Sequence, residues 1–166
     1  FVAPLSLFAQ KYAQFDYASI IQDMPAYKTA QTELQGMQDK FKKDLEDMQK
    51  ELQTKYEKFQ QEVNDKTPEN IRTRRQQELT ELSQKLDQAR ADDEKALQEA
   101  SSQKMQPIIA KVMDAINAVA KEGNYVYIMD SNAAQSAGIF INPALSENVT
   151  AKIRTKLGLS ASSAKK

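Results

Sequence analysis

The sequence contains no cysteine, no histidine and no tryptophan, and it has only four glycines among 166 residues. Without cysteine or histidine, the chain has no thiolate nucleophile, no imidazole acid–base catalyst and no Cys/His zinc site. It also lacks the sequence G-x-x-x-x-G-K-[ST], which excludes a P-loop nucleotide-driven motor. We therefore expect a protein that is not an enzyme and that uses no cofactor and no metal.

An excess of one charge is also lacking, because 23 lysines and arginines balance 23 aspartates and glutamates. Binding to nucleic acid needs a net basic face, so we expect no nucleic-acid partner. Charged residues are nevertheless abundant, at 28% of the chain, and the mean hydropathy is −0.67. Acidic pairs such as Asp44/Asp47 and Asp92/Asp93 are more typical of a solvated helix surface than of an acid–base pair.

An apolar pattern that repeats every 11 residues fills the stretch from Leu34 to Val63. Eleven residues in three turns give about 3.67 residues per turn, close to the 3.6 of an α-helix. The pattern therefore predicts a long, nearly straight helix over residues 26–64. Its predicted seam consists of Leu34, Met37, Phe41, Leu45, Met48, Leu52, Tyr56, Phe59 and Val63.

A second long helix is predicted over residues 68–121, with Thr67 as its cap and Gly123 as the left-handed residue that ends it. Pro107, inside this helix, predicts a kink. The short break between the two helices makes them antiparallel neighbours, so residues 26–121 are expected to form a helical hairpin, a coiled-coil-like arm. The second helix continues the seam with Leu86, Leu97 and Ile108.

Strand patterns occur only toward the two ends of the chain, which predicts a mainly α protein with a small β-containing body formed by residues 11–25 and 122–159. Its expected elements are a strand at 11–16, a short helix at 17–23, a buried strand at 125–130, a loop at 131–138, a strand at 138–142 and a helix after Pro143 that ends at Gly158. These short elements make a poor core for one chain, which favours oligomerisation through the body. The predicted interface residues are Tyr12, Phe15, Tyr125, Tyr127, Ile139 and Ile141.

Residues 1–10 are largely apolar and are typical of the end of a signal-peptide hydrophobic region, with a cleavage site after Ala9. Ser6, three residues earlier, fits the small-residue cleavage pattern. This predicts export, whereas a hydrophobic N-terminal strand is the alternative reading. Residues 160–166 form a polar tail that we expect to be disordered.

The mature part of the chain resembles the Skp/OmpH family of periplasmic chaperones from end to end. The resemblance near the start is carried by Lys11, Phe15-Asp16, Ile20-Ile21, Met24-Pro25-x-Tyr27-Lys28-x-Ala30-Gln31 and Leu34. Residues 119–130 are similar to the family's entry into its second strand. The combination of Met24-Pro25 with Tyr27-Lys28 resembles members from Bacteroidetes-type bacteria.

The resemblance implies a jellyfish-like homotrimer in the periplasm, whose helical arms surround a cavity. It also implies an ATP-independent holdase that captures unfolded outer-membrane proteins and prevents their aggregation. The best-known members are strongly basic, whereas this chain is neutral. We therefore expect at most a weak contact with a membrane or with lipopolysaccharide. The residues alone also permit a structural coiled-coil scaffold or adaptor of the cell envelope, or a cytosolic holder similar to prefoldin.

Overall fold

The structure, a computed structural model, describes residues 10–160. The predicted signal-peptide segment with its cleavage site after Ala9, and the tail after Ser160, lie outside the described residues. The described part is mainly helical, with a small three-stranded sheet. It divides into two compact units: the first combines the residues up to Thr29 with those from Lys104 onward, and the second runs from Ala30 to Gln103.

Eight elements follow one another along the described chain. They are β1 (Lys11–Phe15), α1 (Tyr17–Asp23), α2 (Pro25–Glu62), α3 (Glu69–Gly123), β2 (Tyr125–Asp130), α4 (Ser131–Ser136), β3 (Ser146–Asn148) and α5 (Thr150–Lys156). The predicted first strand, the short helix after it, the two long helices and the last helix are therefore confirmed.

The junctions before α1 and α2 follow from local chemistry. The Asp16 carboxylate accepts a hydrogen bond from the Ser19 amide at 3.0 Å and so caps α1. Met24 is extended, with ψ 124°, because the Pro25 ring disfavours helical geometry in the preceding residue. Pro25 itself begins α2, where a missing N–H costs nothing.

The connection between α2 and α3, residues 63–68, differs from the prediction in its capping. The Thr67 hydroxyl, expected to cap α3, instead accepts from the Asn64 amide at 3.0 Å and donates to the Glu62 carbonyl at 3.4 Å. It therefore satisfies groups at the end of α2, whose last carbonyls lack helical partners. Arg75 of α3 lies 3.7 Å from the Glu62 carboxylate, which brings both helices together beside the connection.

The prediction that Gly123 adopts the left-handed conformation is wrong. Asn124 does so instead, with φ 50°, and asparagine is among the few non-glycine residues that tolerate this region. Glycine at position 123 has a different effect, since a Cβ there would collide with the ring of Tyr125 unless the ring moved.

The sheet has the order β2-β1-β3, and both outer strands run parallel to β1. The predicted strand at 138–142 is wrong, because the position beside β1 is taken by the polar β3. The predicted loop at 131–138 is also wrong, since α4 forms there with the Asp130 carboxylate accepting from the Ala133 amide at 3.1 Å. β2 is an edge strand whose Tyr127 is 63% exposed, so the prediction of a buried strand does not hold for the single chain.

The first unit holds a core to which β1, α1, the end of α3 and α5 all contribute. Its buried apolar residues are Ala13, Phe15, Ile20, Ile21, Met24, Ile108, Val112, Ala115, Ile116, Val119, Ala134, Val149 and Ile153. Arg154 is buried among them, with only 4% of its surface exposed. Its guanidinium lies 2.8 Å from the Asp23 carboxylate and donates to the carbonyls of Ser19 and Ser160, so it ties α1 to the end of the described chain.

Candidate functional site

The outer face of the sheet carries several exposed apolar side chains. Alternation along β1 buries Ala13 and Phe15 on one face and places Tyr12 on the other. Tyr12 lies opposite Tyr127 of β2, and the two rings stack with their centroids 6.1 Å apart and their planes 18° from parallel. The sheet thus presents an aromatic surface that no helix of the first unit buries.

Residues 139–145 run beside this face and complete a groove with a volume of about 220 Å³. Two side chains from this segment are almost fully in water, Phe140 at 87% exposure and Leu145 at 77%. Such a concentration of exposed apolar surface on a small unit is typical of an interaction site. We call it the sheet groove; it is lined by Tyr12, Ala13, Tyr127, Met129, Ile139, Phe140, Ile141, Asn142, Leu145 and Ser146.

The structure brings four of the six predicted interface residues together in the sheet groove, namely Tyr12, Tyr127, Ile139 and Ile141. The groove also contains Phe140 and Leu145, which are not among the predicted interface residues. The predicted strand at 138–142 would turn Phe140 away from its two neighbours. Because the segment is irregular, consecutive apolar side chains line the same groove.

The other two predicted interface residues do not line the sheet groove. Phe15 is buried in the core, with its ring edge-on to that of Tyr17 at 6.4 Å between centroids. Tyr125 donates its hydroxyl proton to the Glu147 carboxylate in a short hydrogen bond. The Lys152 ammonium reaches the same carboxylate at 2.6 Å and lies 5.6 Å from the centre of the Tyr125 ring.

This cluster of Tyr125, Glu147 and Lys152 links β2, β3 and α5 on the protein surface. The hydrogen bond from Lys152, followed by that from Tyr125, holds the pKa of Glu147 below its ordinary value. The same contact with Glu147 raises the pKa of Lys152. The pair is charged over the whole neutral range and therefore joins the three elements electrostatically.

In the second unit, the predicted seam residues of α2 are its less exposed side chains. Leu34, Met37, Phe41, Leu45, Met48, Leu52 and Phe59 are half-buried, as is Val63 just after the helix, whereas Tyr56 is 50% exposed. On α3, Leu86 is buried and Leu97 is half-buried, while Ile108 lies in the core of the first unit. The half-buried side chains follow the 11-residue pattern along one stripe of the helix.

A gap of about 990 Å³ separates α2 from α3 where residues 31–39 face residues 94–101. Near the connection, a cavity between the same helices, lined in part by Phe59 and Leu79, has only about 160 Å³. Residues of both long helices therefore line a large open groove along this stretch and a much smaller cavity near the connection. We call the larger space the interhelical gap.

Within residues 10–160, none of the helices combines the length and the apolar composition needed to cross a bilayer. The same part of the chain contains no group of three carboxylates placed to hold a metal ion.

Comparison with known protein families identifies the group to which this chain belongs. Residues 11–157, from β1 to the residue that caps α5, match the family described as outer membrane protein (OmpH-like). The chain belongs to the OmpH-like family. A comparison with curated proteins found no significant match to this OmpH-like chain.

Membership of the OmpH-like family confirms the resemblance seen in the sequence. OmpH-like proteins are periplasmic chaperones of outer-membrane proteins, and they are not enzymes. They bind unfolded outer-membrane proteins in general. The matched range covers the second unit and most of the first, so the sheet groove and the interhelical gap both lie within it.

Proposed function

We propose that this protein is an ATP-independent periplasmic holdase that captures unfolded outer-membrane proteins in a cavity between helical arms. The observation that carries the proposal is the OmpH-like match over residues 11–157. A holdase needs no reacting groups, because binding the unfolded client shifts its equilibrium away from aggregation by mass action. Outer-membrane strands expose alternating apolar side chains before their barrel closes, which gives such a binder its target.

In this proposal, residues 26–121 form the arm and residues 11–25 with 122–159 form the oligomerising body. The ion pair between Arg75 and Glu62 supports an antiparallel pairing of the two long helices. Several arms around one cavity gain avidity from weak contacts, provided that the chains assemble. Export through the apolar segment before residue 10 is part of the same proposal.

The sheet groove is the proposed contact between protomers of a homotrimer. Phe140 and Leu145 are exposed in the single chain and would be covered by a neighbouring copy. Replacing both with aspartate should convert trimers to monomers in sedimentation velocity. The matched control is Ile109→Asp, which changes an exposed apolar residue outside the groove and should leave the trimer intact. A doubly substituted chain that remains trimeric would contradict this assignment.

The holdase activity is tested by diluting a urea-unfolded outer-membrane barrel protein into buffer with or without the chaperone. The expected result is low turbidity and a soluble complex whose mass equals one client plus one trimer. A structural scaffold or adaptor of the envelope, the competing function, would bind a folded partner and leave the turbidity unchanged.

A further inference from the structure

The interhelical gap is large enough to admit part of another chain. Its volume is about 990 Å³, and the space is widely open to solvent, so it suits a stretch of a long chain better than an enclosed small ligand. All of its lining residues belong to the second unit, and they come from both long helices. The space is therefore formed by α2 and α3 alone.

The gap opens where the apolar seam between the helices is incomplete. Gly36 contributes no side chain, and a Cβ at this position would have no heavy atom within 4 Å. On α3, the small Ser101 lines the gap where the 11-residue pattern would favour a larger apolar residue. Leu34 and Leu97 consequently stay half-buried and present apolar surface to the gap.

The polar lining of the gap has one sign of charge. Asp39 and Glu94 are its charged residues, and no lysine or arginine lines it. Glu94 makes no ion pair with any residue in the described part of the chain, and Asp39 accepts only an amide hydrogen bond from Gln35, at 2.9 Å. A partner that brings a positive charge beside an apolar group would complement this lining.

Two exposed glutamine side chains in the gap can exchange their hydrogen bonds with water for hydrogen bonds with a ligand. Gln38 of α2 and Gln98 of α3 both line the gap, and neither has a hydrogen-bond partner within residues 10–160. Each amide offers a donor and an acceptor. An extended main chain needs both, because every non-proline residue carries one N–H and one C=O.

We propose that the interhelical gap binds an extended segment of the unfolded client, with an apolar side chain between Leu34 and Leu97 and a lysine or arginine facing Asp39 and Glu94. This inference rests on the proposed holdase function, and it names the place and the sequence preference of the contact. It predicts that client binding protects the space between the two helices of an arm, in addition to any protection of the cavity between arms.

The absence of native cysteine allows a direct test with single thiols. Ser101→Cys places a thiol in the gap, and Ser102→Cys, one residue on and exposed outside it, is the matched control. The urea-unfolded barrel protein, added at ten times its dissociation constant, should slow alkylation of the Ser101→Cys variant about tenfold, because only the free chain reacts. The rate for Ser102→Cys should stay within about twofold on the same argument.

Suppressed aggregation with equal protection of both thiols, or of neither, would overturn the gap site and leave the holdase function standing. Unsuppressed aggregation would instead contradict the proposed function.

Short peptides test the gap without a folding client. Two nine-residue peptides are compared, one in which leucine alternates with lysine and one in which leucine alternates with glutamate. The lysine peptide should protect the Ser101→Cys thiol at about tenfold lower concentration than the glutamate peptide, and equal potency would overturn the charge preference.

Discussion

The two units of the chain differ in how many of their apolar side chains they bury fully. Of the fifteen buried apolar residues within the described chain, only Ala30 and Leu86 belong to the second unit. The second unit keeps a stripe of half-buried residues along α2 instead. The apolar side chains of the second unit thus remain partly accessible along the helix, whereas those of the first unit are either buried in its core or exposed, many of the exposed ones in the sheet groove.

The second unit also relies on local interactions along its helices. Lys55 lies 3.4 Å from Glu51, and Lys95 lies 3.9 Å from Glu99, each one helical turn apart and exposed. Such pairs contribute about 0.3–0.5 kcal/mol each, which is small compared with a buried aliphatic side chain. The comparison teaches that substitutions of the same kind should have different consequences in the two units.

The largest expected difference comes from truncating an aliphatic side chain in each unit. Ile153 is fully buried in the first unit, and Ile153→Ala should lower the free energy of unfolding by about 2–5 kcal/mol. Leu45 is half-buried in the second unit, and Leu45→Ala should cost only about 1 kcal/mol. Urea denaturation at a fixed protein concentration measures both, and equal losses would remove the distinction between the units.

Arginine substitutions should separate the units by a somewhat smaller amount. Arg154→Met leaves the carbonyls of Ser19 and Ser160 without their buried donor, which should cost about 2 kcal/mol. Arg90→Met removes an exposed ion pair with Asp87, 3.9 Å away, and should cost less than about 0.5 kcal/mol. Denaturation curves of the two variants are compared with that of the parent protein; similar midpoints would contradict the role assigned to Arg154.

Glycine-to-alanine substitution should change sign between the units. Gly36→Ala fills open space in a helix interior and should stabilise the protein by about 0.5–1 kcal/mol. Gly123→Ala forces a Cβ into the Tyr125 ring and should destabilise it by about 1–3 kcal/mol. Thermal melting followed by circular dichroism distinguishes the outcomes, and two shifts of the same sign would contradict the close approach at Gly123.

The smallest effect concerns pH and the surface cluster of the first unit. Because the pKa of Glu147 is lowered on folding, its contribution to stability is present above its ordinary pKa of 4.5 and is lost as the pH falls through the lowered value. The difference in melting temperature between the parent protein and Glu147→Gln should therefore shrink in acid. In a Lys152→Met background, where the main cause of the shift is gone, Glu147→Gln should change the pH profile much less.

The long helices were predictable from the sequence because their apolar spacing continues over many turns, and β1 and β2 because their residues favour strands. The region from Ser131 to Asn148 was not predictable in the same way. α4 has no apolar repeat, and its start depends on one hydrogen bond from the Ala133 amide to Asp130. β3 is entirely polar, and it forms a strand by pairing with the edge of β1. No local sequence pattern predicts this pairing.

The candidate site was predictable only in part for a related reason. In a strand, Ile139 and Ile141 would share one face and Phe140 would lie on the other. The predicted interface therefore contained the two isoleucines and omitted Phe140. The sequence signal for the interhelical gap is the set of polar residues, such as Ser101, that interrupt the apolar seam of α3. This signal does not predict the distance between the helices, since that distance depends on packing along both of them.

The central position of β1 has a consequence for the order in which the molecule is completed. Its neighbours, β2 and β3, begin at Tyr125 and Ser146, so β1 stays unpaired until both long helices and the chain beyond them have been synthesised. Helical turns form locally, whereas pairing between such distant segments is slow because a long loop must close first. A chain that stops short of Tyr125 would carry long helices but a lone, unfinished strand, and it would be an early target for proteolysis.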